Sequence, residues 1–177
     1  MFWERVIAEE LDPLAPVAIY KEEWQSGDPG DVVYDLRVAC PGPNPVSGYL
    51  RMPRNAAARS LPIVVLYMGY NVTAAQVPNK GNAIQLCINQ QGEPNGQSAA
   101  YYAQLLATKY ANFGFDDAEN RDPDTVFFKY MVLRALQAVR YCMTLPEWDG
   151  VHVKVCGGSM GGFQAIQAAA HEERVTE

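Results

Sequence analysis

The chain has 177 residues, which is enough for one domain with a substantial core and too few for two ordinary domains. Hydrophobic residues make up 49% of it and charged residues 19%, a composition typical of a globular protein and not of a disordered one. The formal net charge of −6 argues against a nucleic-acid or anionic-membrane partner, because no basic face is available. No apolar run approaches the ~20 residues of a membrane span, and the first ten residues lack the apolar region of a signal peptide, so neither is predicted. The cysteines, read as free thiols, leave the compartment open.

Cysteine spacing argues against a disulfide framework or a metal centre. The four cysteines are far apart in sequence and show no C-x-x-C spacing; they are Cys40, Cys87, Cys142 and Cys156. Three of them lie in apolar stretches, which favours buried free thiols. We therefore expect neither a metal site nor a cofactor.

The first third of the chain predicts a short helix followed by strands. Apolar residues at helical spacing predict an amphipathic helix that ends at Asp12-Pro13, and an extended piece follows at residues 17–20. A turn is predicted at residues 26–30. Residues 31–39 alternate as a strand, and a Pro-Gly-Pro-Asn-Pro connection leads to its hairpin partner at residues 46–52.

The middle of the chain alternates buried strands and helices. The continuous apolar run of residues 61–67 predicts a strand buried on both faces, and residues 83–88 predict a second one. Residues 98–108 form a predicted helix with Ser98 as its N-cap. Asp122-Pro123 is a good N-cap and N1 pair for a helix of about twenty residues, which ends before Leu145-Pro146. Its sheet-facing residues are predicted to be Phe127, Met131, Ala135, Ala138 and Cys142.

A serine lies between two glycines where a strand meets a helix. Residues 151–156 are a β-branched run reached through a turn at residues 148–150, and residues 160–170 are rich in helix formers. Between them, Gly157, Ser159 and Gly161 form the pattern G-x-S-x-G, the nucleophile elbow of α/β-hydrolases. The serine must adopt a strained backbone conformation to raise its hydroxyl above the sheet, and the glycines let strand and helix pass closely. A glycine-rich turn that binds nothing is the alternative interpretation.

The order of the predicted elements indicates an α/β fold. A β-hairpin region is followed by two strands, two helices, a strand and a helix, which predicts a doubly wound, mostly parallel sheet. With the elbow, this order predicts a partial α/β-hydrolase fold that ends at the helix after the serine.

Four segments resemble the acetyl xylan esterase family, a carbohydrate-esterase branch of the α/β-hydrolases. They are residues 45–53 (PVSGYLRMP), 92–102 (GEPNGQSAAYY), 121–136 and 145–170. The resemblance runs through nearly the whole chain and covers about the first half of that family's catalytic domain. It implies hydrolysis of acetyl or similar esters on sugars, with residues 1–177 as the N-terminal portion of a single domain.

The resemblance also implies roles for individual residues. Ser159 would be the nucleophile, and the backbone N–H groups of Met160 and Tyr70 would form the oxyanion hole. The family usually has histidine where this chain has Met68, and glutamine where it has Met160. Because the oxyanion donors are backbone groups, neither change removes one.

Neither histidine of the chain is positioned to act as the base. His152 lies roughly 20 Å from Ser159 along the strand, and His171 lies roughly 18 Å away along the helix, whereas a base must be within hydrogen-bond reach. In this fold the acid and the histidine follow the serine in sequence. We therefore expect both in sequence after Glu177, and we expect residues 1–177 alone to be inactive.

Other residues have both a functional and a structural interpretation. Six aromatic side chains suit sugar stacking, but packing is favoured: Tyr101, Tyr102, Tyr110, Phe113, Phe115 and Trp148. An acidic cluster suits calcium binding but lacks the regular ligand spacing, so a solvated loop is favoured: Asp116, Asp117, Glu119, Asp122 and Asp124. The turn at residues 92–96 is as well suited to approaching substrate as to serving only as a connection.

Two hypotheses follow. The first is a serine esterase of acylated carbohydrate or another small ester, with no nucleic-acid or membrane partner. The second is a non-catalytic degenerate hydrolase or a half-domain that acts as a binding or assembly unit. The apolar edge of the strand at residues 151–156 would be open in the isolated chain. We therefore expect this chain to be aggregated, partly unfolded, or paired edge-to-edge with a second copy or with the missing half of the domain.

Overall fold

Six strands form one sheet, flanked by four α-helices, in the computed structural model, which describes residues 1–25 and 27–177. The strands are β1 (Ala18–Trp24), β2 (Asp31–Val38), β3 (Val46–Pro53), β4 (Leu61–Tyr67), β5 (Ile84–Ile88) and β6 (Trp148–Gly157). The helices are α1 (Phe2–Val6), α2 (Ala99–Ala107), α3 (Phe127–Cys142) and α4 (Met160–His171). A π-helical turn (Ile7–Leu11) continues α1, and a 3₁₀ turn (Glu119–Arg121) precedes α3. The predicted turn at residues 26–30 includes Ser26, which lies outside the described residues.

The sheet is mixed, with most of its strands running in one direction. Its order is β1-β2-β3-β5-β4-β6. The pairs β1–β2, β2–β3 and β3–β5 are antiparallel, and β5–β4 and β4–β6 are parallel. Strands β2, β4, β5 and β6 therefore share one direction. The predicted α/β class, the mostly parallel sheet and the N-terminal hairpin are confirmed.

The main core lies between one face of the sheet and two helices. Ile63 and Val65 of β4 are fully buried there with Ala135 of α3 and Ala168 of α4. The predicted strand at residues 61–67 is confirmed without a change of boundary, because β-branched and aromatic residues in a continuous run suit a strand covered on both faces.

A loop, and not a helix, covers the opposite face. Val33, Tyr49 and Cys87 pack there against Ala75 and Met68 from the segment after β4. Helices α3 and α4 both contribute to the core on the first face. Within the described residues, helices are therefore seen on one face of the sheet only, whereas the predicted doubly wound arrangement has helices on both faces.

Helix α3 begins later than the sequence predicts. Its N-cap is Val126, and Asp122 instead closes a turn, accepting the backbone N–H of Asp124 at 2.9 Å. The hydroxyl of Thr125 donates to the carbonyl oxygen of Asp122 at 3.0 Å. The prediction of a helix start at Asp122-Pro123 is wrong because these side-chain bonds stabilise a turn. Phe127, predicted to face the sheet, packs on loop aromatics instead.

The N-terminal segment packs on α3, as an amphipathic helix should. Val6 and Leu11 are fully buried against that helix. Ion pairs surround the contact: Arg5 with Asp124 at 2.9 Å, Lys129 with Glu10 at 2.7 Å, and Arg140 with Asp12 at 2.8 Å. The segment is thereby fixed to the helix that supports the sheet.

The last strand departs from its prediction at both edges. The turn predicted at residues 148–150 belongs to β6, which pairs Trp148 with Leu61 and shifts register before Val153. On the edge away from β4, Thr176 donates to the Val153 carbonyl at 2.8 Å, and Val155 donates to the Glu177 carbonyl at 2.9 Å. The end of the chain therefore pairs with β6 in the manner of a further strand.

The four cysteines are free thiols, with Cys87 and Cys142 buried. Burial raises the pKa of the Cys87 thiol to about 11, so it stays protonated at neutral pH. Among the residues that the structure describes, no helix combines the length and apolar character required to cross a bilayer.

Candidate active site

Ser159 lies in a sharp turn between β6 and α4. Its backbone has φ 55° and ψ −124°, and Arg59 is the other non-glycine residue with positive φ among residues 1–25 and 27–177. Such a conformation costs ~1–3 kcal/mol and persists only where the surroundings impose it. The side chain is exposed at the carboxyl edge of the sheet. The strand–turn–helix order has the predicted form.

Two glycines permit the close crossing that imposes this conformation. A Cβ atom on Gly161 would lie 2.2 Å from the Tyr67 carbonyl oxygen, and one on Gly157 would lie 2.7 Å from the same atom. Carbon and oxygen cannot approach so closely, so any side chain here would push β4 and α4 apart. This contact explains why the pattern has glycine two residues on either side of the serine.

The loop after β4 lies against the elbow. A Cβ atom on Gly69 would be 3.4 Å from the Gly158 carbonyl oxygen and 3.9 Å from Cβ of Ser159. Tyr70 follows directly, and Met160 is the first residue of α4, where a backbone N–H has no partner within the helix. The structure thus brings together the segments that carry Ser159, Met160 and Tyr70.

Buried glutamine side chains hold this loop in place. Gln90, which is 1% exposed, donates its amide to the Met68 carbonyl at 2.7 Å and also to the Gly69 carbonyl. Gln164 of α4 donates to the same Met68 carbonyl at 3.2 Å. Neither residue was predicted from the sequence. A polar pair following the buried strand at residues 83–88 was the available signal, since loops after parallel strands line such sites.

The two histidines lie away from the elbow. His152, in the middle of β6 and 70% exposed, contacts Asp149 through Nδ1 at 2.8 Å. His171 is the last residue of α4, with its ring 5.9 Å from that of Trp3. His171 is thus at the end of α4 remote from Ser159, and His152 lies seven residues before Ser159 along β6. The neighbouring strand residue Lys154 pairs with Glu177, which explains a charged residue on this strand.

Aromatic residues form a cluster beside the loop. The ring of Tyr70 stacks on that of Phe113, with centroids 4.2 Å apart and planes at 5°. Tyr110 and Phe113 are buried with Val72, whereas Phe115 is 69% exposed. Packing is therefore the main role of the buried rings. The six aromatic residues do not form one sugar-stacking surface, because Trp148 pairs with the first residue of β4, at the opposite end of the sheet.

Glu93 is the centre of a polar cluster in the turn at residues 92–96. Its carboxylate accepts from Lys109 at 2.7 Å, Tyr110 at 2.5 Å and Tyr101 at 3.0 Å. Burial raises the pKa of Glu93, but these hydrogen bonds outweigh it and hold the pKa below its usual value. In this turn Glu93 therefore acts as a structural anion.

Acidic side chains of the cluster at residues 116–124 already bind backbone N–H groups or a basic side chain. Asp116 accepts the backbone N–H groups of Ala118 and Glu119 at 2.8 and 3.0 Å. Asp124 pairs with Arg5. Among the described residues, no group of three or more histidine, cysteine or acidic side chains is arranged to hold a metal ion. The contacts explain these residues as loop caps and ion-pair partners.

An α/β sheet that presents a strained serine at its elbow defines the class of the protein as an α/β-hydrolase. The chain matches the acetyl xylan esterase (AXE1) family over residues 1–177 and belongs to it. Acetyl esterase Axe7A of Xylanibacter ruminicola is 26% identical over 182 residues, covering 99% of this chain and 40% of its own length.

Solved structures show the same fold. The acetyl xylan esterase from Paenibacillus sp. R4 superimposes with a TM-score of 0.74 at 21% identity, covering 98% of this chain and 55% of that one. Acetyl xylan esterase 1 from Thermoanaerobacterium sp. JW/SL YS485 gives 0.67 at 20% identity, covering 98% and 54%. The chain therefore spans about half the length of these structures and less of the curated relative.

Proposed function

We propose that this chain supplies the nucleophile and the oxyanion hole of a serine carboxylic-ester hydrolase that removes acetyl groups from acetylated carbohydrate. The observation that carries the proposal is the conformation of Ser159, held at φ 55° between two glycines against the loop after β4. Membership of the acetyl xylan esterase family supports the reaction class and makes acetylated xylan the first substrate to test.

The proposed reaction has two steps. The hydroxyl oxygen of Ser159 attacks the acetyl carbonyl carbon, and the N–H groups of Met160 and Tyr70 stabilise the oxyanion. A base accepts the serine proton and returns it to the sugar oxygen as the C–O bond breaks, leaving an acetyl-enzyme. Water then attacks that ester, releasing acetate and restoring the serine.

We place the base and its acid partner outside residues 1–177. Neither His152 nor His171 lies beside Ser159, and this chain covers 40% of the length of its curated relative. A serine without a base is a poor nucleophile. The same observation favours the second candidate function, a non-catalytic binding or assembly unit, for residues 1–177 alone.

Hydrolysis of p-nitrophenyl acetate and of acetylated xylan distinguishes these functions. The measurements compare the 177-residue chain with a form extended by the downstream coding sequence. We expect turnover from the extended form alone, and Ser159→Ala should lower it by about 10⁴-fold or more. The matched control is Ser60→Ala, since Ser60 is exposed at the opposite end of β4 and donates to the Ala57 carbonyl.

Three results would contradict the proposal. Residual activity of Ser159→Ala within tenfold of the wild type would mean another nucleophile. Serine-dependent turnover by the 177-residue chain would show that its base is present. A folded extended form without turnover would favour the binding or assembly unit.

A further inference from the structure

A cavity of about 380 Å³ opens at the carboxyl end of β5, beside α3. Its lining includes Asn44, Gln91, Tyr110, Phe113, Phe127 and Arg134, and it does not include Ser159. The ring of Phe113 stacks on Tyr70 and so separates this cavity from the elbow. Its size is within the range of small-molecule sites, roughly 300–1,000 Å³.

Arg134 contributes a buried charge to this cavity. The residue is 2% exposed, and its Nε donates to the Gln90 carbonyl at 2.8 Å. Among residues 1–25 and 27–177, no side chain or carbonyl accepts from its two terminal nitrogens, and no carboxylate forms an ion pair with it. Burial lowers the pKa of Arg134, yet a guanidinium keeps its proton at neutral pH. A guanidinium with so little exposure to water is stabilised when an anion pairs with it.

The nearest structural anion is already engaged. Glu93 attracts Arg134 only at longer range, since its oxygens accept from Lys109, Tyr110 and Tyr101. The terminal nitrogens of Arg134 are therefore available to a ligand. Two parallel N–H donors on a planar group match the two oxygens of a carboxylate.

The rest of the lining favours a hydroxylated ring over a simple anion. Tyr110, Phe113 and Phe127 offer apolar ring surface, and the lining cation Lys109 is already paired with Glu93. Asn44 and Gln91 add polar surface, although their amide nitrogens already donate to neighbouring groups. Two carboxylates at the outer rim, Asp116 and Glu119, repel a bare anion but accept hydrogen bonds from hydroxyl groups. We propose that this cavity binds a sugar acid, a hydroxylated ring that bears a carboxylate, with the carboxylate on Arg134.

Isothermal titration calorimetry of the full-length protein with glucuronate, glucose and acetate tests the proposal. We expect glucuronate to bind at least about tenfold more tightly than glucose, which lacks the charge, and than acetate, which lacks the ring. Arg134→Gln should weaken glucuronate binding by about tenfold or more, whereas Arg121→Gln, at an exposed arginine outside the cavity, should leave it unchanged.

Equal binding of glucose or acetate, or unchanged binding by Arg134→Gln, would overturn the proposal. If Arg134→Gln fails to fold, the affinities of the wild type for the three ligands still test the proposal. Arg134→Lys keeps the charge but not the fork of donors, and it should bind glucuronate more weakly than the wild type. Binding is measured without ester, and Ser159→Ala should bind as the wild type does. Failure of the esterase proposal and failure of this one are therefore distinguishable.

Discussion

Gly161→Ala should destabilise the protein through one steric contact. The added Cβ would lie 2.2 Å from the Tyr67 carbonyl oxygen, 2.9 Å from its carbonyl carbon and 3.0 Å from the Met68 carbonyl oxygen. All three neighbours are backbone atoms, so strand β4 or helix α4 must move. Overpacking of this kind costs ~1–3 kcal/mol, and rigid neighbours place this case near 3. The better helix propensity of alanine returns up to ~1 kcal/mol, which leaves a net loss of about 2 kcal/mol.

Gly158→Ala is the matched control, three residues away in the same elbow. A Cβ atom on Gly158 meets nothing within 4 Å. Its effect should be within ~0.5 kcal/mol, as for most exposed sites. For a chain of this size a loss of 2 kcal/mol lowers Tm by about 4–8 °C. Thermal unfolding followed by circular dichroism measures both variants, and equal melting temperatures would refute the close crossing of β4 and α4.

Two further predictions concern the polar residues behind the site. Gln90→Ala should lower kcat/KM for p-nitrophenyl acetate by about 10–100-fold in the downstream-extended form. The reason is that the Met68 and Gly69 carbonyls lose a donor worth ~1–3 kcal/mol. An unchanged rate would show that the loop after β4 keeps its position without Gln90. The lowered folded-state pKa of Glu93 means that its contribution to stability is complete above about pH 4.5 and is lost as the pH falls through that pKa. Glu93→Gln should therefore make the decline of Tm between about pH 5 and 3 less steep than in the wild type, whereas the exposed control Asp117→Asn should not. Parallel curves of Tm against pH for Glu93→Gln and the wild type would contradict this prediction.

Local patterns in the sequence were enough to predict most of the elements. The run at residues 61–67 is apolar and β-branched throughout, so a buried strand was its one consistent interpretation. Ser98 was predicted as an N-cap, and it accepts the Tyr101 N–H at 3.2 Å. The turn around Ser159 has the predicted order because a side chain on Gly157 or Gly161 would collide with the Tyr67 carbonyl oxygen. The catalytic roles of Ser159, Met160 and Tyr70 stay predictions.

Features that depend on distant contacts were not predictable in the same way. Asp122 is as good a cap for a turn as for a helix, and only the bonds of Thr125 decide between them. Nothing local shows that β5 lies between β3 and β4. Gln90 contacts Met68 across 22 residues, and Arg134 contacts Gln90 across 44 residues. No local sequence pattern therefore predicts that Gln90 fixes the loop after β4 or that Arg134 is buried.

The order of strands in the sheet has a consequence for how the protein folds. Strands β2 and β3 pair across a short connection, with Val38 opposite Val46, whereas Gln164 reaches Met68 across 96 residues. Because the entropy lost on closing a loop grows with its length, we expect the hairpin to assemble early and the contact between β4 and α4 to assemble late. The strain at Ser159 exists only after that late step. A newly synthesised chain would therefore not hold Ser159 in its strained conformation until its sheet is complete.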